Sequence, residues 1–306
     1  MSDAAIELKD LVKSFGSVRA VDRVTFSVPR GTIYGLIGPN GAGKTTTFSI
    51  VAGYLRASEG TARVLGCDPT DVRALKGRIG VLPQDAMLPA NDDVGSFLVY
   101  LARLQGIAGD KAEGVAREAL ASVGGLEWWA MRCGKLSHGM AKRVGVAQAI
   151  LGTPELVLLD EPTAGLDPKV AYQLRQFIKA LAGKCTVVVS SHNLAELEEV
   201  CDGAAILDRG RLMSAGSLAS LTGTSEEFRI ALAPGPAPVE PVRAIPIVRT
   251  AEFDQAHGSL VVTFDPKTTD AETVIAAVLR VLLDHNARIS GLAKGRKLEQ
   301  RVMELT

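Results

Sequence analysis

TIYGLIGPNGAGKT, residues Thr32 to Thr45, is the stretch that decides the fold. An apolar run, TIYGLI, stops at Gly38, and Gly38 to Thr45 matches G-x-x-x-x-G-K-[ST] in full. The residues after it, 44 to 54, have helical character. A strand, a glycine-rich turn and a helix start form a cradle for phosphate. The glycines let the backbone turn its N–H groups inward, and the helix that begins near Lys44 adds the positive end of its dipole. Lys44 would reach the β- and γ-phosphates of a nucleoside triphosphate, and Thr45 would offer its hydroxyl to Mg²⁺. The competing reading of the motif alone is a glycine-rich turn that binds nothing.

A second acidic element lies more than a hundred residues downstream. In ELVLLDEP, four apolar residues end in Asp160 and Glu161. In an open parallel sheet the ligand crevice lies at the carboxyl ends of the strands. There Asp160 would hold Mg²⁺, and Glu161 is placed to serve as general base toward an attacking water.

Working outward, residues 5 to 35 alternate in polarity and read as a short antiparallel sheet that feeds the buried strand before Gly38. RIGVLPQ at 78–84 reads as another short buried strand. From Asp85 to Gly152 the strand signal disappears, and Phe97, Leu101 and Leu104 show helical spacing. Strands return with ELVLLD, TVVVSSH and AAILDRG, separated by helical stretches. Such alternation predicts an α/β fold, a mostly parallel sheet covered by helices. After Leu221 the pattern changes. EEFRIALA alternates, PGPAPVEPVRAIP is proline-rich, and SLVVTFD, AETVIAAVLRVLLDHN, ARISGLA and LEQRVMEL read as strand, helix, strand and short helix. Val274, Val278 and Leu282 share one face of that longer helix. The expected division is 1–221, with a helical subdomain over about 85–152, and a small α+β domain over 222–306.

The charge balance, 34 basic against 34 acidic residues, gives no electrostatic footprint for nucleic acid or anionic lipid. Cys67, Cys133, Cys185 and Cys201 are far apart and form no Cys-x-x-Cys pair, so reduced cytosolic thiols are the plain reading. The first residues, MSDAAIELKD, lack the pattern of a signal peptide. The apolar runs at 156–159 and 186–189 are of strand length, well short of the ~18 residues of a spanning helix. Any membrane part must then come from another chain.

With these motifs in order, the chain resembles the nucleotide-binding subunit of an ABC transporter over about residues 5 to 221. GPNGAGKT corresponds to the Walker A loop, Gln84 to the Q-loop, LSHGM to a variant of the signature motif, and LVLLDE to Walker B with its glutamate. AGLD, ending in Asp167, corresponds to the D-loop, His192 to the switch histidine, and Phe15 to the aromatic that stacks on adenine. The resemblance implies a P-loop NTPase core, an ATPase, and the cofactors ATP and Mg²⁺. It assigns Glu161, His192 and Gln84 to catalysis, and Thr45, Gln84 and Asp160 to the metal. It assigns Phe15, Gly38, Pro39, Asn40, Gly41, Ala42, Gly43, Lys44, Thr45, Thr46, Ser137, Gly139 and Asp167 to the nucleotide. Asp167 also suits the N-cap of a helix starting at Pro168.

In this family the signature motif acts on ATP held by a partner subunit, which implies a head-to-tail dimer, either homodimer or heterodimer. Ser137 and the backbone near Gly139, at a helix start, supply the donors. Met140 cannot close the capping box that glutamine would close, a loss on the order of 1 kcal/mol or less. The ring of His138 points to solvent, to a neighbour, or to phosphate. LS-x-GM followed by basic residues resembles the export-type subfamily that pairs with small six-helix permeases. The expected role is therefore export of a substrate through a separate transmembrane permease, with the chain peripheral on the cytoplasmic face of the cell membrane and no nucleic-acid partner.

Met87 and Leu88, after Gln84, are candidates for permease docking or for local packing, and Trp128 and Trp129 read as packing residues. The tail resembles the small C-terminal domain of export-type subunits, which would help dimerise, bind a regulator or brace the sheet. The alternative is a soluble ABC-type ATPase acting on ribosomes or DNA. Against it stand a single cassette, a short insert without metal spacing, and the neutral charge. A metabolic kinase sharing the phosphate loop would not carry the signature or the switch histidine.

Overall fold

The computed structural model describes residues 3–191, 193–222, 227–255, 257–295, 298, 302 and 303. The chain divides into two compact units, 1–216 and 217–305.

In the first unit, β1 (Ala4–Phe15) and β2 (Val18–Pro29) form a long antiparallel hairpin. β3 (Ile33–Ile37) leads into α1 (Lys44–Val51), and β4 (Glu59–Val64) returns to pair antiparallel with β1. The antiparallel sheet expected as short has twelve-residue strands, and β4 was not foreseen. Its sequence, EGTARV, is mostly exposed and offers no apolar run to read. After α2 (Val72–Leu75) come β5 (Ile79–Leu82) and the helices α3 (Val94–Leu104), α4 (Gly109–Ser122) and α5 (His138–Ala149). Then follow β6 (Leu156–Asp160), α6 (Pro168–Lys179), β7 (Thr186–Ser190), α7 (Leu194–Val200), β8 (Gly203–Asp208) and β9 (Arg211–Ser217).

The second sheet has the order β5-β6-β7-β3-β8-β9. β5, β6, β7, β3 and β8 run parallel, so their carboxyl ends share one edge. Every residue of β3, β6 and β7 is buried, as strands covered on both faces require. The edge strand β9 instead alternates between exposed and half-buried positions. The α/β reading, a mostly parallel sheet with an antiparallel sheet beside it, is what the structure has.

The helices α3 to α5 fill the region where the strand signal vanishes. Asp93 caps α3 by accepting from the Ser96 N–H at 2.8 Å. α5 lies close on β5, and glycine permits this. A Cβ on Gly80 would come within 1.6 Å of the Ala149 carbonyl oxygen. Trp128 is buried, with Arg143 over its ring, and Arg117 stacks 4.0 Å above Trp129.

The second unit begins with α8 (Leu218–Thr222), then β10 (Glu227–Leu232), α9 (Val239–Arg243), β11 (Thr250–Asp254), β12 (Ser259–Thr263), α10 (Ala271–Asp284) and β13 (Ile289–Lys294). The strands make an antiparallel sheet in the order β11-β12-β10-β13. Val274, Val278 and Leu282 of α10 are fully buried and join Phe228, Ile230 and Leu260 in a core of its own. α9 sits inside the proline-rich stretch PGPAPVEPVRAIP, to which the sequence reading assigned no element. Pro238 stands at its N-cap, where a missing N–H does no harm. Of the helix expected over 298–305, Leu298, Val302 and Met303 fall within the described residues, and all three are helical.

Candidate active site at the carboxyl edge of the parallel sheet

The turn after β3 is shaped by its glycines. Gly43 takes φ 95° at the N-cap of α1, and a Cβ there would lie 2.6 Å from the Ala20 carbonyl oxygen. No side chain caps α1, so its first-turn N–H groups are not claimed by a capping oxygen. Lys44 is buried and folds back along the turn. Its Nζ donates to the Gly38 carbonyl at 2.7 Å and to the Pro39 carbonyl at 3.1 Å. Burial pulls its pKa below the ordinary lysine value, while the charges of Glu161 and Asp160 push it back up. The ammonium thus sits in the field of both carboxylates.

Asp160 ends β6, two strands from β3, and Glu161 follows it. Asp160 is paired in register with Ser190 of β7, the strand in between. The Ser190 hydroxyl donates to the Asp160 carboxylate and accepts from the Glu161 N–H at 3.0 Å. Burial raises the Asp160 pKa above its ordinary value, against the Ser190 hydrogen bond, which lowers it. The neighbouring Glu161 charge raises it further, and Lys44 and the Thr45 hydroxyl lower it. Glu161 is buried and holds a left-handed backbone, φ 52°.

Thr45, Gln84 and Asp160 line one cleft of about 170 Å³, with Phe48, Tyr54 and Asp85. A larger depression of about 330 Å³, lined by Arg56, Arg63 and Asp68, contains none of the residues expected to act. Among the described residues no group of three or more His, Cys, Asp and Glu side chains is arranged to hold a metal ion. A hydroxyl, a carboxylate and an amide on one cleft instead suit a hard cation that completes its shell with water and phosphate oxygens.

Ser137 is the N-cap of α5, and its hydroxyl accepts from the Met140 N–H at 3.3 Å. The His138 ring lies against a neighbour. Its Nε2 is 3.3 Å from the Ala164 carbonyl oxygen, and a Cβ on Gly165 would sit 3.2 Å from that nitrogen. Asp167 caps α6 by accepting from the Lys169 N–H at 2.9 Å, with Pro168 in the first turn. Phe15 is half-exposed, with Lys13 Nζ 5.2 Å from its ring.

The ABC transporter family matches residues 21–164. The daunorubicin/doxorubicin resistance ATP-binding protein DrrA of Streptomyces peucetius is 37% identical over 71% of this chain. The Nod factor export ATP-binding protein I of Burkholderia orbicola is 33% identical over 71% of this chain and 72% of its own length. A solved ATP-binding subunit of an ABC transporter covers 72% of this chain and 92% of its own, with a TM-score of 0.65 and 28% identity. The chain belongs to the ABC transporter ATP-binding proteins. It spans just under two thirds of the length of DrrA, 66%.

Within this ATP-binding cassette, the residues after β3, β5 and β6 come together as the sequence implied. Lys44, Thr45, Gln84, Asp160 and Glu161 converge at one edge of the sheet. Ser137, Gly139, Asp167 and Phe15 do not line the cleft with Thr45. His192 lies outside the described residues. Two residues escaped the sequence reading. Ser190 bridges Asp160 and the Glu161 backbone, and the alignment of LVLLD with TVVVS would have placed it there. Lys142 of α5 donates to the carbonyls of Gln84 at 3.2 Å and Glu161 at 3.4 Å. No local pattern marks that contact, because it joins three segments far apart in sequence.

Proposed function

We propose that this cassette hydrolyses ATP at a head-to-tail dimer interface and so drives substrate export through a separate membrane permease. The observation that carries the reading is the convergence of Lys44, Thr45, Gln84, Asp160 and Glu161 at the carboxyl edge of one parallel sheet. The turn from Gly38 to Thr46 cradles the triphosphate, and the half-exposed Phe15 stacks on the base. Lys44 moves from loop carbonyls to the β- and γ-phosphates. Thr45, Asp160 and Gln84, which share one cleft, would hold Mg²⁺, and the ion would supply positive charge beside the phosphates. Glu161, held by Ser190, takes a proton from the attacking water. His192 is assigned to the γ-phosphate on its sequence position alone. Ser137 and the first turn of α5 serve the ATP of the second subunit.

The relatives' printed roles, in drug resistance and Nod factor export, favour export. No described helix is long and apolar enough to cross a membrane, and the reading assigns the membrane path to a separate permease. Met87, almost wholly exposed beyond Gln84, suits a docking contact. Affinity purification of this chain from gently solubilised host membranes tests the reading. The expected result is co-purification of a permease in matching stoichiometry. Recovery with ribosomal or DNA-repair proteins and no permease would overturn it.

A further inference from the structure

We propose that Lys142 is a positioning residue. It fixes the backbones that carry Gln84 and Glu161 to the helix that Ser137 caps. The inference rests on the hydrolytic reading above and adds a residue to it.

Lys142 lies little more than one turn into α5 and is half-buried. Its ammonium has three donors. One goes to the Gln84 carbonyl at 3.2 Å, just beyond β5, and one to the Glu161 carbonyl at 3.4 Å, just beyond β6. Both bonds end on main-chain oxygens, so they act on where these backbones sit rather than on the side chains' chemistry. The Glu161 backbone has reason to need this. A left-handed conformation at a residue with a side chain is strained and persists only where its surroundings over-determine it. Ser190 holds Glu161 by its N–H, and Lys142 holds it by its carbonyl.

Charge supports the placement. Burial lowers the Lys142 pKa, while Asp160, Asp85 and Glu161 raise it, so the ammonium lies in the field of three carboxylates. With Lys44, it brackets the Asp160–Glu161 pair. The start of α5, the turn after β5 and the turn after β6 are thereby tied at one point. A displacement of Ser137 would carry to Gln84 and Glu161 of the same chain.

The test compares the unmodified chain with Lys142→Met, which keeps length and removes the donors, and Lys142→Arg, which restores donors and charge. Steady-state ATP hydrolysis with Mg²⁺, thermal unfolding, and hydrogen–deuterium exchange without nucleotide are read on each. Lys142→Met is expected to lower kcat about 10- to 100-fold. KM for ATP should stay within about twofold, and the melting temperature should be unchanged. Exchange should rise at 84–86 and 161–165 and nowhere else in the first unit. Lys142→Arg should recover most of kcat. An unchanged kcat in Lys142→Met would overturn the proposal. So would a parallel loss of kcat, ATP affinity and melting temperature, which marks simple fold support. Should the unmodified chain fail to hydrolyse ATP, the functional reading fails. The exchange data then judge the tie by themselves, and unaltered exchange at both segments refutes it.

Discussion

Glu161 shows how much of a residue's role is set by partners that are remote in sequence. Its identity was legible as the second acid of LVLLDE. Its left-handed backbone was not, because that conformation comes from β7 and α5. His138 is similar. The sequence left its ring free to face solvent, a neighbour or phosphate, and in the fold its Nε2 lies 3.3 Å from the Ala164 carbonyl oxygen. Cys201 was legible only as a lone thiol. In the fold its Sγ is buried, where a Cβ on Gly35 would lie 3.3 Å away. Burial pushes the Cys201 thiol from 9.0 up to about 12, and burial likewise pushes Tyr34 from 10.0 up to about 12. A raised folded pKa contributes stability that is complete below the unfolded pKa and is lost as pH rises through the folded one. Stability of the first unit should therefore fall between pH 9 and 12. Cys201→Ala should cost about 1 kcal/mol near neutral pH and show a shallower alkaline decline. Urea midpoints measured across that range check this, and equal alkaline slopes in both proteins would refute it.

At the scale of elements, apolar pattern was a good guide where burial is complete and a poor one where it is partial. β3, β6 and β7 are buried throughout and were read from their apolar runs. β4 is largely exposed and β11 is fully buried only at Ala251, and neither was read. α10 was legible because Val274, Val278 and Leu282 all face its core. The start of α5 carries a prediction of its own. Ser137 accepts from the Met140 N–H, so half of a capping box is built, and methionine cannot return a bond to the Ser137 N–H. Met140→Gln supplies the missing acceptor. It should stabilise the first unit by about 0.5–1 kcal/mol. A chemical unfolding curve reads the change, and a destabilised variant would show that the methionine side chain matters more to packing than the missing bond does to the helix start.

For the whole molecule, the order of motifs along the chain implied an assembly that no single element shows. The cassette gathers Lys44, Thr45, Gln84, Asp160 and Glu161 at one edge, while Ser137 and Gly139 do not line that cleft. Under the proposed head-to-tail arrangement a second subunit would complete the site, its α5 start facing this subunit's phosphate turn. The second unit has its own sheet and core. Its place in the assembly was the part least legible in sequence, since it carries no motif of phosphate chemistry. Nucleotide-driven pairing of two cassettes is the central claim, and sedimentation of Glu161→Gln tests it most directly, because loss of the proposed general base should let ATP bind without turnover. With ATP it should sediment as a dimer and with ADP as a monomer, and adding Ser137→Arg should abolish the dimer. A monomer under saturating ATP and Mg²⁺ would contradict the account.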